Sequence, residues 1–166
     1  MGALGPSWFQ GEEEAPAGTV FHYTNRHALA RILKAGEIRP HKAMPTDRVA
    51  LVWFSTNGIW EPASGRPHPL NPRQPLTFDQ MSQVGGGLAR LLIDGSAAEL
   101  GWPALRRLIS PEFLLLVQGR GAIWFRANQW RWYGTRKAVP REAWLSIETW
   151  RSPKWIEVPY TWEEGT

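Results

Sequence analysis

The sequence predicts an α+β fold: a single domain over residues 19–166 with a mainly antiparallel split β-sheet core and a few short helices, behind a flexible leader of residues 1–18. Three observations lead there. The 166 residues are 43% hydrophobic and 20% charged, which suits one globular domain with a proper core. One segment carries a clear helical period, whereas strand-like apolar runs bounded by turn residues recur early and again in the last third. Eleven tryptophans, each able to bury roughly 150 to 250 Å², supply much of the core.

The elements follow in order. Residues 1–18, with Glu12-Glu13-Glu14 and scattered Gly and Pro, lack apolar periodicity. Val20 to Tyr23 reads as a strand, and Asn25 is placed to cap a helix whose Leu29, Ile32 and Leu33 fall at i, i+3 and i+4. Gly36 supplies the left-handed residue that ends such a helix. Ala50 to Phe54 is a continuous apolar run, as expected of a central strand covered on both faces. Residues 61–76 hold Pro62, Pro67, Pro69, Pro72 and Pro75, which predicts a long surface loop, of the kind that serves as a lid or binding loop. Gly85-Gly86-Gly87 leads into a strand from Leu88 to Ile93. Trp102-Pro103 and Ser110-Pro111 read as helix starts, with Phe113 to Val117 assigned to helix. Trp130 to Tyr133, Trp144 to Trp150 and Trp155 to Val158 read as strands, although Trp144, Ile147 and Trp150 share a face only on a helical period.

Several chemistries are excluded. There is no cysteine, and His22, His27, His41 and His68 form no metal-binding pair, so the sequence predicts no metal. No nucleophile elbow, Walker loop or dinucleotide-binding glycine fingerprint is present; Gly85 to Gly87 has the wrong spacing. No apolar run approaches a membrane span, and Met1 to Gln10 lacks a signal core, so the expectation is a cytoplasmic protein without membrane contact. A net charge of +4 permits a polyanionic partner, but the basic residues are spread along the whole chain.

The pattern that points to chemistry is Phe21-His22-Tyr23-Thr24 at one strand end and Phe54-Ser55-Thr56 at the next, two polar groups able to converge on one ligand. His22 alone reads equally as a strand-end histidine that satisfies backbone carbonyls, and Ser55 and Thr56 as turn caps. Together with the helix that follows, the His-x-Thr and Ser-Thr motifs resemble the ADP-ribosyltransferases that use NAD. That resemblance implies that His22 holds a ribose of NAD, that the backbone near Tyr23 grips the nicotinamide amide with Thr24 bracing the turn, and that Ser55 and Thr56 flank the site. It also implies an aromatic platform for nicotinamide, Trp60. The family's late strand begins with a catalytic glutamate and runs to a Val-Pro turn; here Gln129-Trp130-Arg131-Trp132-Tyr133 runs to Val139-Pro140, with glutamine in that place. An amide only hydrogen-bonds, whereas a carboxylate also stabilises the positive charge that develops as nicotinamide leaves. Glu148 is the substitute carboxylate, and the sequence leaves Gln129 and Glu148 open as the catalytic position.

The resemblance implies a transferase acting with NAD as substrate on a protein or nucleic acid acceptor, in the manner of a toxin or conflict effector with a neutralising partner protein. Two other readings stand beside it. Gln129 motivates a catalytically degenerate module that binds nucleotide, nucleic acid or protein. Arg26 and Arg31 are the basic residues that a related RNA 2′-phosphotransferase would need around its phosphate. Tryptophans 124, 130, 132, 144, 150 and 155, interleaved with Arg126, Arg131, Arg136, Arg141 and Arg151, would suit base stacking, but core packing is the simpler role for most.

Overall fold

The computed structural model describes residues 13–61, 67–68, 70–76, 78–116, 118 and 128–161. In chain order its strands are β1 (Thr19–Asn25), β2 (Glu37–Ile38), β3 (Val52–Ser55), β4 (Pro67–His68), β5 (Asn71–Pro75), β6 (Leu88–Asp94), β7 (Leu100–Gly101), β8 (Trp132–Thr135), β9 (Val139–Pro140), β10 (Trp144–Arg151) and β11 (Lys154–Val158). Its α-helices are α1 (Arg26–Ala35), α2 (Phe78–Met81), α3 (Trp102–Leu105) and α4 (Pro111–Leu116). This is an α+β fold around a seven-stranded sheet ordered β11-β10-β6-β1-β3-β8-β7, every neighbour antiparallel.

The sheet is unevenly knit. β1 and β6 pair along seven positions, from Thr19 opposite Asp94 to Asn25 opposite Leu88. β1 and β3 pair at one, Phe21 opposite Ser55. The halves β11-β10-β6-β1 and β3-β8-β7 therefore meet at a single rung, and side chains near that rung gain room to enter between them.

Helix α1 forms where the sequence predicts it. Asn25 is the N-cap, its side chain accepting from the Ala28 amide at 2.8 Å, and Gly36 closes the helix at φ 71° with its amide on the Ile32 carbonyl. Leu29 and Leu33 pack on Val20, Leu91, Ile93 and Ile147 of the sheet, and burying each such side chain contributes about 2 kcal/mol. The opposite face, around Tyr23, Leu88, Trp150 and Trp155, is covered by Trp60, Leu76 and Met81. α3 and α4 cover the other half of the sheet through Trp102, Leu105, Phe113 and Leu114 against Leu51 and Trp132.

Three details differ from the sequence reading, and a fourth explains how an expected strand forms. Glu13 to Gly18 is not free of the domain: the Gly58 amide donates to the Glu13 carbonyl, the Ala15 amide to the Thr56 carbonyl, and Glu14 pairs with Arg131 at 2.9 Å. Within residues 61–76, β4 and β5 form a two-stranded ribbon, His68 opposite Asn71, which tolerates proline because each strand has an unpaired edge; residues 62–66 and 69 lie outside the described residues. Trp130 is not in a strand with Trp132. It sits in a 3₁₀ turn over Gln129–Arg131, capped by the Asn128 side chain, and is 65% exposed while Trp132 is buried. Finally, β10 is a strand although Trp144 and Ile147 are an odd number apart. Its register on β6 shifts between Trp144 and Ser146, and this irregularity turns both side chains to the buried face. Trp124, Arg126 and Val117 fall outside the described residues.

Among the described residues no helix is long and apolar enough to cross a membrane.

Candidate functional site

The site begins with His22, because the single rung between β1 and β3 leaves its ring room to reach across. Its Nδ1 lies 2.9 Å from the Trp53 carbonyl oxygen. A carbonyl only accepts, so Nδ1 carries the ring proton and Nε2 is left as an acceptor. Burial lowers the His22 pKa to about 4; the bond to the Trp53 carbonyl opposes that shift and nearby His41 adds to it. The imidazole is neutral at pH 7.

Two cavities open on this ring. The smaller, about 230 Å³, is walled by aromatic side chains that include Phe21, Trp53, Phe54, Phe113 and Trp132, with Trp53 and Phe113 edge to face at 5.5 Å. Its charged wall is Glu61, only 7% exposed. Ser55 Oγ donates to one carboxylate oxygen of Glu61, and Trp132 Nε1 donates to the other at 2.9 Å. These two bonds hold the carboxylate in one orientation against the aromatic wall. The larger cavity, about 720 Å³, lies along the end of β1, the length of α1 and β2, with Thr24, Arg31, Arg39 and Trp60 among its walls. Arg39 pairs there with Glu37 at 2.7 Å. His22, Tyr23 and His41 line both cavities, so the two adjoin across these side chains as the two lobes of the cleft.

Of the residues the sequence singles out, His22, Tyr23, Thr24, Ser55 and Trp60 line this cleft. Trp60 lies in the larger lobe, edge to face with Tyr23 at 5.2 Å. Thr56 lines neither lobe; its amide donates to the Arg131 carbonyl and its carbonyl accepts from Ala15. Neither sequence candidate for the catalytic position lines a lobe. Gln129 opens the 3₁₀ turn before β8, and Glu148, on β10 opposite Arg90, forms an ion pair with the guanidinium. The carboxylate that lines the aromatic lobe is Glu61, which the sequence reading passed over as the first residue of a proline-rich loop. The available signal was local: an acidic residue directly after Ile59-Trp60 and six positions after Ser55.

The segment before Glu61 is tied down through consecutive carbonyls. The Tyr23 hydroxyl donates to Asn57 O at 2.6 Å, Arg90 Nη1 donates to Gly58 O, and Trp155 Nε1 donates to Ile59 O at 3.1 Å. Burial raises the Tyr23 pKa well above the ordinary phenol value, against the opposing pull of Arg90, so the hydroxyl remains a donor. The Arg90 guanidinium lies between the rings of Phe21 and Trp155, 4.1 and 4.4 Å from their centroids.

Among the described residues no group of three or more His, Asp or Glu side chains is arranged to hold a metal ion. Comparisons with protein-family models, with curated proteins and with solved structures give no match to this chain.

Proposed function

We propose that the cleft binds NAD in its oxidised form and that the protein transfers ADP-ribose from it to a macromolecular acceptor, protein or nucleic acid. The observation that carries this reading is the polarity of the two lobes. An aromatic lobe closed by a buried carboxylate suits a flat cationic ring, as nicotinamide is in oxidised NAD. The adjoining lobe offers Arg31 and Arg39 for phosphate oxygens, and neutral His22 stands between the two as an acceptor for a ribose hydroxyl.

In this reading the glycosidic C–N bond breaks and nicotinamide departs with the bonding electron pair. Glu61 faces the positive charge that develops on the ribose, and Ser55 and Trp132 hold its carboxylate so that no reorganisation is needed. The acceptor's nucleophile then bonds to the ribose carbon, and its proton passes to Glu61. The role sought for Gln129 or Glu148 falls to Glu61.

Calorimetry with oxidised and reduced NAD, together with an assay of nicotinamide release in the presence of cell lysate, tests the proposal. Binding of the oxidised form well above the reduced form is expected, with release falling on the order of a hundredfold or more in Glu61→Gln. Equal affinity for both forms, or no binding, would overturn it. The second reading, a binding module without chemistry, is favoured by Glu148 being paired to Arg90. It predicts NAD affinity without release.

A further inference from the structure

We infer that Arg90, with Tyr23 and Trp155, is a positioning device for Glu61, and that Glu148 serves the site through Arg90. The inference rests on the reading of the cleft as an NAD site and adds the means by which its carboxylate is kept in place.

Segment 57–61 has no regular secondary structure, yet it delivers a buried carboxylate to an aromatic lobe. A loop carrying a charge into such surroundings would swing out to water unless something outweighed the desolvation cost. Three side-chain donors do so, one from each of β1, β6 and β11, on the carbonyls of Asn57, Gly58 and Ile59. Inside the loop, the Ser55 hydroxyl accepts from the Asn57 amide and the Asn57 side chain accepts from the Ile59 amide. Arg90 is the centre of this arrangement. Its Nε is engaged by Glu148, its Nη1 reaches Gly58 O, and Phe21 and Trp155 clamp its plane from two sides. With its side chain 8% exposed, the guanidinium requires a counter-ion, and Glu148 supplies it. Glu148 thus lines neither lobe but acts through Arg90 on where the Gly58 carbonyl is held.

Trp132 provides a reporter, since its indole N–H is bonded to Glu61 and it is not a partner of Arg90, Glu148 or Trp155. The experiment compares Trp155→Phe, which removes the indole donor and leaves a smaller ring over Arg90, with Arg90→Lys and Glu148→Gln. The Trp132 indole N–H resonance, assigned by its loss in Trp132→Phe, is followed by NMR, and kcat and KM for nicotinamide release are measured. The expected result is a shifted or broadened Trp132 signal in each variant, a kcat lower by tenfold to a hundredfold, and a KM within about twofold of the parent. Each substitution should have no further effect on kcat once Glu61→Gln is present. An unmoved Trp132 signal in folded Trp155→Phe and Glu148→Gln proteins overturns the inference, as does a full additional loss in the Glu61→Gln background. If the parent protein releases no nicotinamide, the NAD reading fails, and the Trp132 resonance alone decides whether the strap holds Glu61.

Discussion

His22 and Glu61 show how burial assigns roles at the scale of single residues. With a folded pKa of about 4 against the ordinary 6.5, His22 resists protonation in the native state. Its contribution to stability is complete above pH 6.5 and is lost as the pH falls towards 4, by on the order of 3 kcal/mol. Carboxylates titrate in the same range, so the useful measurement is the stability of the parent minus that of His22→Gln, from urea denaturation at several pH values. That difference should fall by a comparable amount between pH 7 and pH 4, and a constant difference would contradict the neutral, proton-resisting imidazole. Nicotinamide release should likewise show no inflection near pH 6.5 from this residue. For Glu61 the exposed nerve is its donors. Ser55→Ala leaves one buried carboxylate oxygen without its hydroxyl partner and should cost about 1 to 3 kcal/mol in denaturant titrations. A loss indistinguishable from zero would mean that water takes the place of the hydroxyl.

At the scale of elements, the start of α1 depends on a close fit between two distant residues. Gly85 has φ +60°, and a Cβ built there would stand 2.6 Å from Cγ of the capping residue Asn25. Asn25→Ala alone should cost about 1 kcal/mol for the lost cap. Gly85→Ala alone should cost more, because it adds the left-handed strain of about 1 to 2 kcal/mol to displacement of the cap. With Asn25 already changed to Ala the clash disappears, so the two costs should be less than additive in a double-mutant cycle followed by urea denaturation. Strict additivity would show that the cap and the glycine turn relax independently. The cap, the apolar period and Gly36 are neighbours in sequence, which is why α1 was legible from the chain alone. The 3₁₀ turn at Gln129–Arg131 was not, because the alternation of Trp130 and Trp132 imitates a strand and only the Asn128 cap betrays the turn. The register shift in β10 escaped for a related reason: it is a property of the pairing with β6 and leaves no local mark.

For the whole molecule, the α+β class and the antiparallel sheet follow from many local signals, while the cleft follows from pairings that no local signal carries. Trp132 and Glu61 are 71 residues apart in sequence, and Arg90 and Gly58 are 32 apart. His22 and Ser55 could be read as converging because the sequence sets each near the end of an apolar run, although β1 continues to Asn25, whereas the carboxylate that shares their cavity is brought in by an irregular segment. The same architecture has a mechanical consequence. β1 joins β6 along seven rungs and joins β3 at one, so the half containing β3 and β8 is held to the rest less by strand pairing than by the core packing of Val52 and Phe54, the His22 bond to Trp53 and a few backbone bonds outside the sheet, such as that of the Ala15 amide to the Thr56 carbonyl. Native-state hydrogen exchange should therefore find lower opening free energies for the amides of Val52–Ser55 and Trp132–Thr135 than for those of Leu88–Asp94. Lobe walls come from both halves, Trp53 and Trp132 on one side and Phe21 and His22 on the other, so a ligand in the cleft joins them. Oxidised NAD at saturating concentration should raise the protection of β3 and β8 towards that of β6, in proportion to its affinity. Equal opening free energies in the free protein would show that one rung and the side-chain links suffice to make the sheet a single cooperative unit. Protection confined to β1 and α1 on adding NAD would show that the ligand occupies the larger lobe alone, leaving the aromatic lobe with Glu61 for something else.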